Sequence, residues 1–328
     1  MRLPIPALPA VLQALAISVA SAFFVSSALA QQEPPRKDLV LTGDAQCTRC
    51  HDAEDNPALM EIGKTRHGTR ADGRTPTCTS CHGPSDTHVN KPANATERPK
   101  PDRTFTRTSL TPIQARNDAC MSCHRKDSTR SHWDGSTHQA RDVACTSCHE
   151  IHTQHDRVRE KFTQPDVCFT CHKEQRTQMT RPSRHPILEG KVVCSDCHNP
   201  HGSVGPKLVR RDSVNDTCYT CHMEKRGPFV HPHEPVQEDC GLCHNPHGTV
   251  TENLLKMRAP FLCHQCHTPH GPNTPQLLGR QVVPNSVTTT GKNAVNITQG
   301  RGCLNCHTEV HGSNNPSTTN PTPQFRLR

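Results

Sequence analysis

The chain has 328 residues and a formal charge of +8, with 31% hydrophobic content, one Trp, one Tyr, eight Phe and 29 Pro. With a mean hydropathy of −0.74, such a chain cannot bury enough apolar surface to offset its ordering entropy. A fold held by side chains alone is excluded, so another component must supply the core.

Residues 1–30 read as a secretory signal peptide: a charge at Arg2, an apolar run from Ala7 to Leu29, and the small-residue site Ala28-Leu29-Ala30. No later segment has 18 apolar residues, so the mature chain is expected not to cross a bilayer by its own helices.

The twenty cysteines then follow in ten C-x-x-C-H motifs, numbered one to ten along the chain. They are Cys47 and Cys50, Cys78 and Cys81, Cys120 and Cys123, Cys145 and Cys148, Cys168 and Cys171, Cys194 and Cys197, Cys218 and Cys221, Cys240 and Cys243, Cys263 and Cys266, and Cys303 and Cys306. No cysteine is left over. Zinc ribbons have no reason to place His after every second Cys. A thioredoxin-like site needs one pair rather than ten, and a disulfide framework does not demand this spacing. The motif is the signature of c-type haem attachment. Two thiols three apart add to the two vinyl groups on one haem edge, and the next residue turns its imidazole to the iron. Ten covalent macrocycles are the missing core, and with about thirty residues for each they must pack against one another. Haem joins such motifs after export, which points to the bacterial periplasm.

Successive first cysteines are 31, 42, 25, 23, 26, 24, 22, 23 and 40 residues apart. The regular stretch repeats every second motif: 145–152, 194–202 and 240–248 are versions of one unit, with His138, His185 and His233 seven to nine residues ahead of the first cysteine. Two-haem units of this kind can stack as repeat proteins do. The expected fold is a multihaem cytochrome of mostly coil with short helices and little β structure. Single helical turns can carry C-x-x-C, since i and i+3 share a side, and Asn-Pro-His-Gly segments end them. Residues 272–302 can hold a hairpin. Residues 31–46, 91–107 and 313–328 are loops or docking elements.

Ten histidines close the motifs: His51, His82, His124, His149, His172, His198, His222, His244, His267 and His307. Among the other fourteen, His264 is pinned inside a C-x-x-C loop, and His155, His132 and His231 stand beside better-placed neighbours. The remaining ten are candidate sixth ligands: His67, His88, His138, His152, His185, His201, His233, His247, His270 and His311. Six methionines, one of them the initiator, leave little room for His/Met ligation. Five candidates precede motif six and five follow its start, so pentahaem halves are expected at 31–190 and 191–328. His201, three residues beyond His198, cannot reach round its own macrocycle and must serve a different iron. Three residues span at most about 10 Å, which tethers the two irons within roughly 20 Å.

The charge is no argument for nucleic acid. Ten haems with ionised propionates add roughly −10 when oxidised and −20 when reduced, so Lys and Arg read as propionate partners.

The ten motifs, the "CHNPHG" units, "SRHPILEGKVVCSDCHNPHG" at 183–202 and "GRGCLNCHTEVHG" at 300–312 resemble the periplasmic decahaem cytochromes of the MtrA/DmsE family, from Cys47 to Gly312. That resemblance implies an elongated wire with all-bis-histidine haems at the positions above. It also implies insertion into an outer-membrane β-barrel porin and exchange with periplasmic and outer-surface multihaem cytochromes. An enzyme would need an open iron, and some multihaem reductases carry C-x-x-C-K, which none of the ten motifs does. A soluble periplasmic carrier feeding a terminal reductase, such as dimethyl sulfoxide reductase, is the alternative. Full bis-histidine ligation predicts a low-spin absorption and EPR spectrum for every haem, and a substantial high-spin fraction in the intact protein would show a ligand assignment to be wrong.

Overall fold

The computed structural model describes residues 44–68, 75–267, 302–305 and 307–314. The expected signal peptide, His270, Cys306, the expected hairpin and most of the tail lie outside them. The chain forms two compact units, Met1–Cys78 and Thr79–Arg328. Contacts within the second unit cross residue 190 freely, as when the Asn199 amide donates to the Thr129 carbonyl at 3.0 Å.

Regular structure is sparse. The helix Ile113–His124 has twelve residues, and the other helices run four to six, including Cys78–His82, Gln164–Phe169, Cys194–Cys197 and Val214–Tyr219. Motifs four, eight, nine and ten fold as single 3₁₀ turns at Cys145–Ser147, Cys240–Leu242, Cys263–Gln265 and Gly302–Asn305. One turn suffices to bring two cysteines to one side. The only named strands among the described residues are two residues each, His231–Pro232 pairing antiparallel with Gly312–Ser313.

Helices this short do not persist alone in water, so tertiary contacts must hold the turns. A buried polar side chain before an odd-numbered motif does this. Asn117, 3% exposed, accepts from the Cys145 N–H at 2.9 Å and donates to the Val143 carbonyl at 3.1 Å. Asn215, 6% exposed, accepts from the Cys240 N–H at 2.7 Å and donates to the Val236 and Gln237 carbonyls. Gln164 accepts from the Ser195 N–H at 3.0 Å and donates to the Ser195 hydroxyl and the Val158 carbonyl. In the first unit, fully buried Asp44 accepts from the Cys78 N–H at 2.7 Å. Each side chain joins an odd motif to the even motif after it.

The Asn-Pro-His-Gly turns share the same backbone bonding. Asn199 and Asn245 each accept, at 3.2 and 3.1 Å, from the N–H of the histidine two residues on. Their own N–H groups donate to Leu208 and Leu254 at 2.8 Å. Gly202 has φ +112, and a Cβ there would overlap the His132 carbonyl. Glycine is required both for the backbone angle and for this close approach. Residues 91–107 are no free linker: Asp102 accepts from the Ser85 N–H at 2.9 Å, and the Pro99 and Arg103 carbonyls hold the Nδ1 atoms of His88 and His82.

The apolar core is correspondingly small. Phe169, Met179 and Ile187 pack together with Val192 at their edge, and only eight hydrophobic residues are buried among those described.

Replacing Asn215 by Ala strips an acceptor from one buried N–H and a donor from two carbonyls. It is expected to lower the stability of the haem-loaded chain by about 1–3 kcal/mol in chemical denaturation. Gln114→Ala, whose amide bonds only exposed Asp118, is expected to stay within about 0.5 kcal/mol.

Candidate functional site

Throughout the second unit, motif-closing histidines face candidate distal histidines from elsewhere in the chain. His82 faces His152 with ring centres 6.2 Å apart, and His149 faces His201 at 6.1 Å. His172 faces His138 at 6.2 Å, His198 faces His247 at 6.1 Å and His222 faces His185 at 6.3 Å. His244 faces His311 at 6.1 Å and His267 faces His233 at 6.0 Å. Every pair joins one motif histidine to one distal candidate, and the separations agree within a few tenths of an ångström.

That separation has a chemical meaning. Metal–imidazole bonds of about 2.0–2.1 Å, plus roughly 1.1–1.2 Å from each ligating nitrogen to its ring centre, put two imidazoles on opposite sides of one metal about 6.3 Å apart. Aromatic rings in ordinary contact span about 4.5–7 Å, so the signal is the recurrence of one separation in seven pairs, each of a motif histidine with a distal candidate. The residues fit a bis-imidazole haem iron.

The tautomers fit as well. The Nδ1 atoms of His138, His185 and His233 bond the carbonyls of Pro200, Pro246 and Val310 at 2.7, 2.8 and 2.8 Å. Those of His198 and His244 bond the carbonyls of Lys207 and Asn253 at 3.0 and 2.8 Å. A carbonyl can only accept, so Nδ1 carries the proton and Nε2 keeps its lone pair for a metal. Motifs three and four differ: His124 Nδ1 bonds Asp127 at 2.9 Å and His149 Nδ1 bonds Asp156 at 2.7 Å, carboxylates in both cases.

Burial favours the neutral imidazole at five of these histidines. His201 and His311 are both held down to about 4, chiefly by burial and then by the charges of Arg130 and Lys225 respectively. Burial also lowers His198, His244 and His247. It pushes the Asp156 carboxyl up, but the hydrogen bond and charge of His149 more than offset this and leave it below the usual carboxylate range.

The sulfurs show a second regularity. The first cysteines of consecutive motifs touch: Cys47 and Cys78, Cys120 and Cys145, Cys168 and Cys194, Cys218 and Cys240, Cys263 and Cys303. The Cys78 thiol is pushed up to about 12, by burial first and then by Asp44. Asp44, Cys47 and Cys78 lie close enough together to hold a metal ion, but the grouping is this same sulfur contact with its backbone pin.

His51 and His67 stand in the first unit, while His88, His124 and His307 stand in the second. His155 is 78% exposed and its Nδ1 hydrogen-bonds the Glu160 carboxylate at 2.9 Å, and His264 bonds the His267 carbonyl. What sequence reasoning missed is the set Asp44, Asn117, Gln164 and Asn215. A signal existed: Asn-Asp-x-Cys recurs at 117–120 and 215–218.

Ten attachment motifs, closely paired imidazoles and a scarce side-chain core define a multihaem c-type cytochrome, an electron-transfer protein. The doubled CXXCH motif family matches residues 185–227 and 233–272, and the NrfB-like cytochrome c-type family matches 78–163. The chain is 40% identical over 279 residues to the multihaem cytochrome MtrA of Shewanella baltica (strain OS185), covering 84% of this chain and 80% of that protein. It belongs to the MtrA family of multihaem cytochromes.

His201→Ala is expected to convert one haem in the intact protein from low to high spin, seen as a new high-spin EPR signal. His155→Ala is expected to leave the spectrum unchanged.

Proposed function

We propose that the chain is a decahaem wire that carries electrons across the outer membrane inside a β-barrel porin. It links periplasmic redox carriers to donors or acceptors outside the cell, in Fe(II) oxidation or metal reduction. The seven imidazole pairs carry this reading. In it, irons are shared by His82 with His152, His149 with His201, His172 with His138, and His198 with His247. His222 with His185, His244 with His311, and His267 with His233 complete the set. His51, His67, His88, His124, His270 and His307 are the remaining axial ligands. The twenty cysteines attach ten haems, which supply reversible one-electron chemistry at low potential for their class.

Two linkages alternate along the second unit and support continuous conduction. Contacts between first cysteines join motif three to four, five to six, seven to eight and nine to ten. Histidine-to-carbonyl bonds join the others. His138, opposite motif five, bonds the peptide that carries His201, opposite motif four. His185 and His247 are linked in the same way, as are His233 and His311. From motif three onward each motif is tied to the next, as close approach for tunnelling requires.

Two histidines at each iron leave no position for a substrate, so the chain is read as a carrier and not an enzyme. No helix of the described residues is long and apolar enough to cross a membrane. The insulating layer is about 30 Å thick, so a crossing depends on a partner barrel wide enough to hold protein. The expected signal peptide at residues 1–30 and membership of the MtrA family support a periplasmic location and an outer-membrane assembly.

The test is reconstitution. Vesicles loaded with a reducible dye are expected to pass electrons from an external reductant only when both this chain and its co-purified barrel are present. A chain that purifies free of any barrel, and conducts nothing through vesicles with its neighbouring barrel protein, overturns the conduit.

A further inference from the structure

The repeat provides an internal comparison for the partners of the motif histidines. In motifs six and eight the loop after Asn-Pro-His-Gly returns with Lys207 and Asn253 in the left-handed region, at φ 54 and 56. Their carbonyls bond the Nδ1 atoms of His198 and His244. In motif four that place is taken by a side chain. The loop turns earlier, through the 3₁₀ turn Arg157–Arg159, and Asp156 bonds His149 Nδ1 at 2.7 Å. Its other carboxylate oxygen accepts from the Glu150 N–H at 3.3 Å. The Asp156 side chain is 15% exposed, so its charge acts through a medium of low effective dielectric.

We propose that Asp156 is a positioning residue that makes the iron shared by His149 and His201 harder to reduce than its repeat equivalents at His198 and His244. A carboxylate draws the Nδ1 proton more strongly than a carbonyl does. The imidazole gains anionic character and becomes a stronger donor to the metal, which favours the ferric state. Hydrogen bonding behind an axial ligand is one of the levers a protein has on haem potential. Asp127 behind His124 is the weaker version, because its side chain is 46% exposed and Arg130 also bonds it. Motif four thereby forms a step in the middle of the chain, and in a partly reduced molecule electrons collect at motifs six and eight before they occupy motif four.

The inference rests on the reading that His149 and His201 share an iron, and that reading has its own signature in the spin state of His201→Ala. The experiment here is a potentiometric titration of the ten-haem protein and of Asp156→Asn, followed in the α-band with EPR. Asparagine keeps the shape and removes the charge. The expected result is that one haem's share of the band moves to higher potential while haem content and low-spin character stay as in the wild type. Asp127→Asn is expected to move its component less. Superimposable titrations of wild type and Asp156→Asn overturn the proposal. Should Asp156→Asn fail to mature, Asp156→Glu keeps a charge near the loop but displaces the carboxylate from Nδ1 by one methylene. An upward shift of one component there supports the proposal, and an unmoved titration in that matured variant overturns it.

Discussion

Two imidazoles about six ångströms apart are the constraint on which this molecule depends. One belongs to an attachment motif and is fixed in sequence by its cysteines. The other comes from far along the chain, 70 residues away for His82 and His152 and 67 for His244 and His311. With an iron between them, as proposed, each such pair would close a long loop, whose entropic cost grows only slowly with length. Seven loops closed at seven points would then hold on a fixed course a chain with eight buried hydrophobic residues among those described.

The pairs alone would leave hinges between them, and two polar devices remove these. One is the buried amide or acid before an odd motif, which satisfies the backbone of the next even motif. The other is the histidine Nδ1 proton, which ties each upstream distal imidazole to the peptide of a downstream one. Both use groups that would be costly if left unsatisfied. Correct pairing and polar satisfaction therefore coincide, and a register slip would sacrifice both at once.

Much of this was legible in the sequence. The motif gave the attachment chemistry, the composition gave the scarcity of core, and the recurrence of "CHNPHG" gave the duplicated turns at Asn199 and Asn245. The partners of the distal histidines were not legible, because His138 lies close in sequence to motif four yet faces His172 of motif five. That choice is made by the Pro200 carbonyl, 62 residues away. Nor did residue type reveal Asn117 or Gln164, since polar residues beside a cysteine ordinarily read as surface. Residues 91–107 read only as a loop or docking element, and their proline and basic composition hid the carbonyls that hold His82 and His88.

The two linkages also explain why the repeat resists division into modules. The doubled-motif matches at 185–227 and 233–272 each run from an upstream histidine through two motifs, pairing six with seven and eight with nine. The sulfur contacts pair five with six and seven with eight. The two registers are offset by one motif, so a cut that spares one kind of linkage severs the other. Downstream histidines add a third reach, each facing the motif two places back: His152 to motif two, His201 to four, His247 to six and His311 to eight. The chain also carries one C-H-x-x-H histidine after an odd motif, His270. Motif nine thus departs from the other odd motifs, and the departure is visible in the spacing of the histidines themselves.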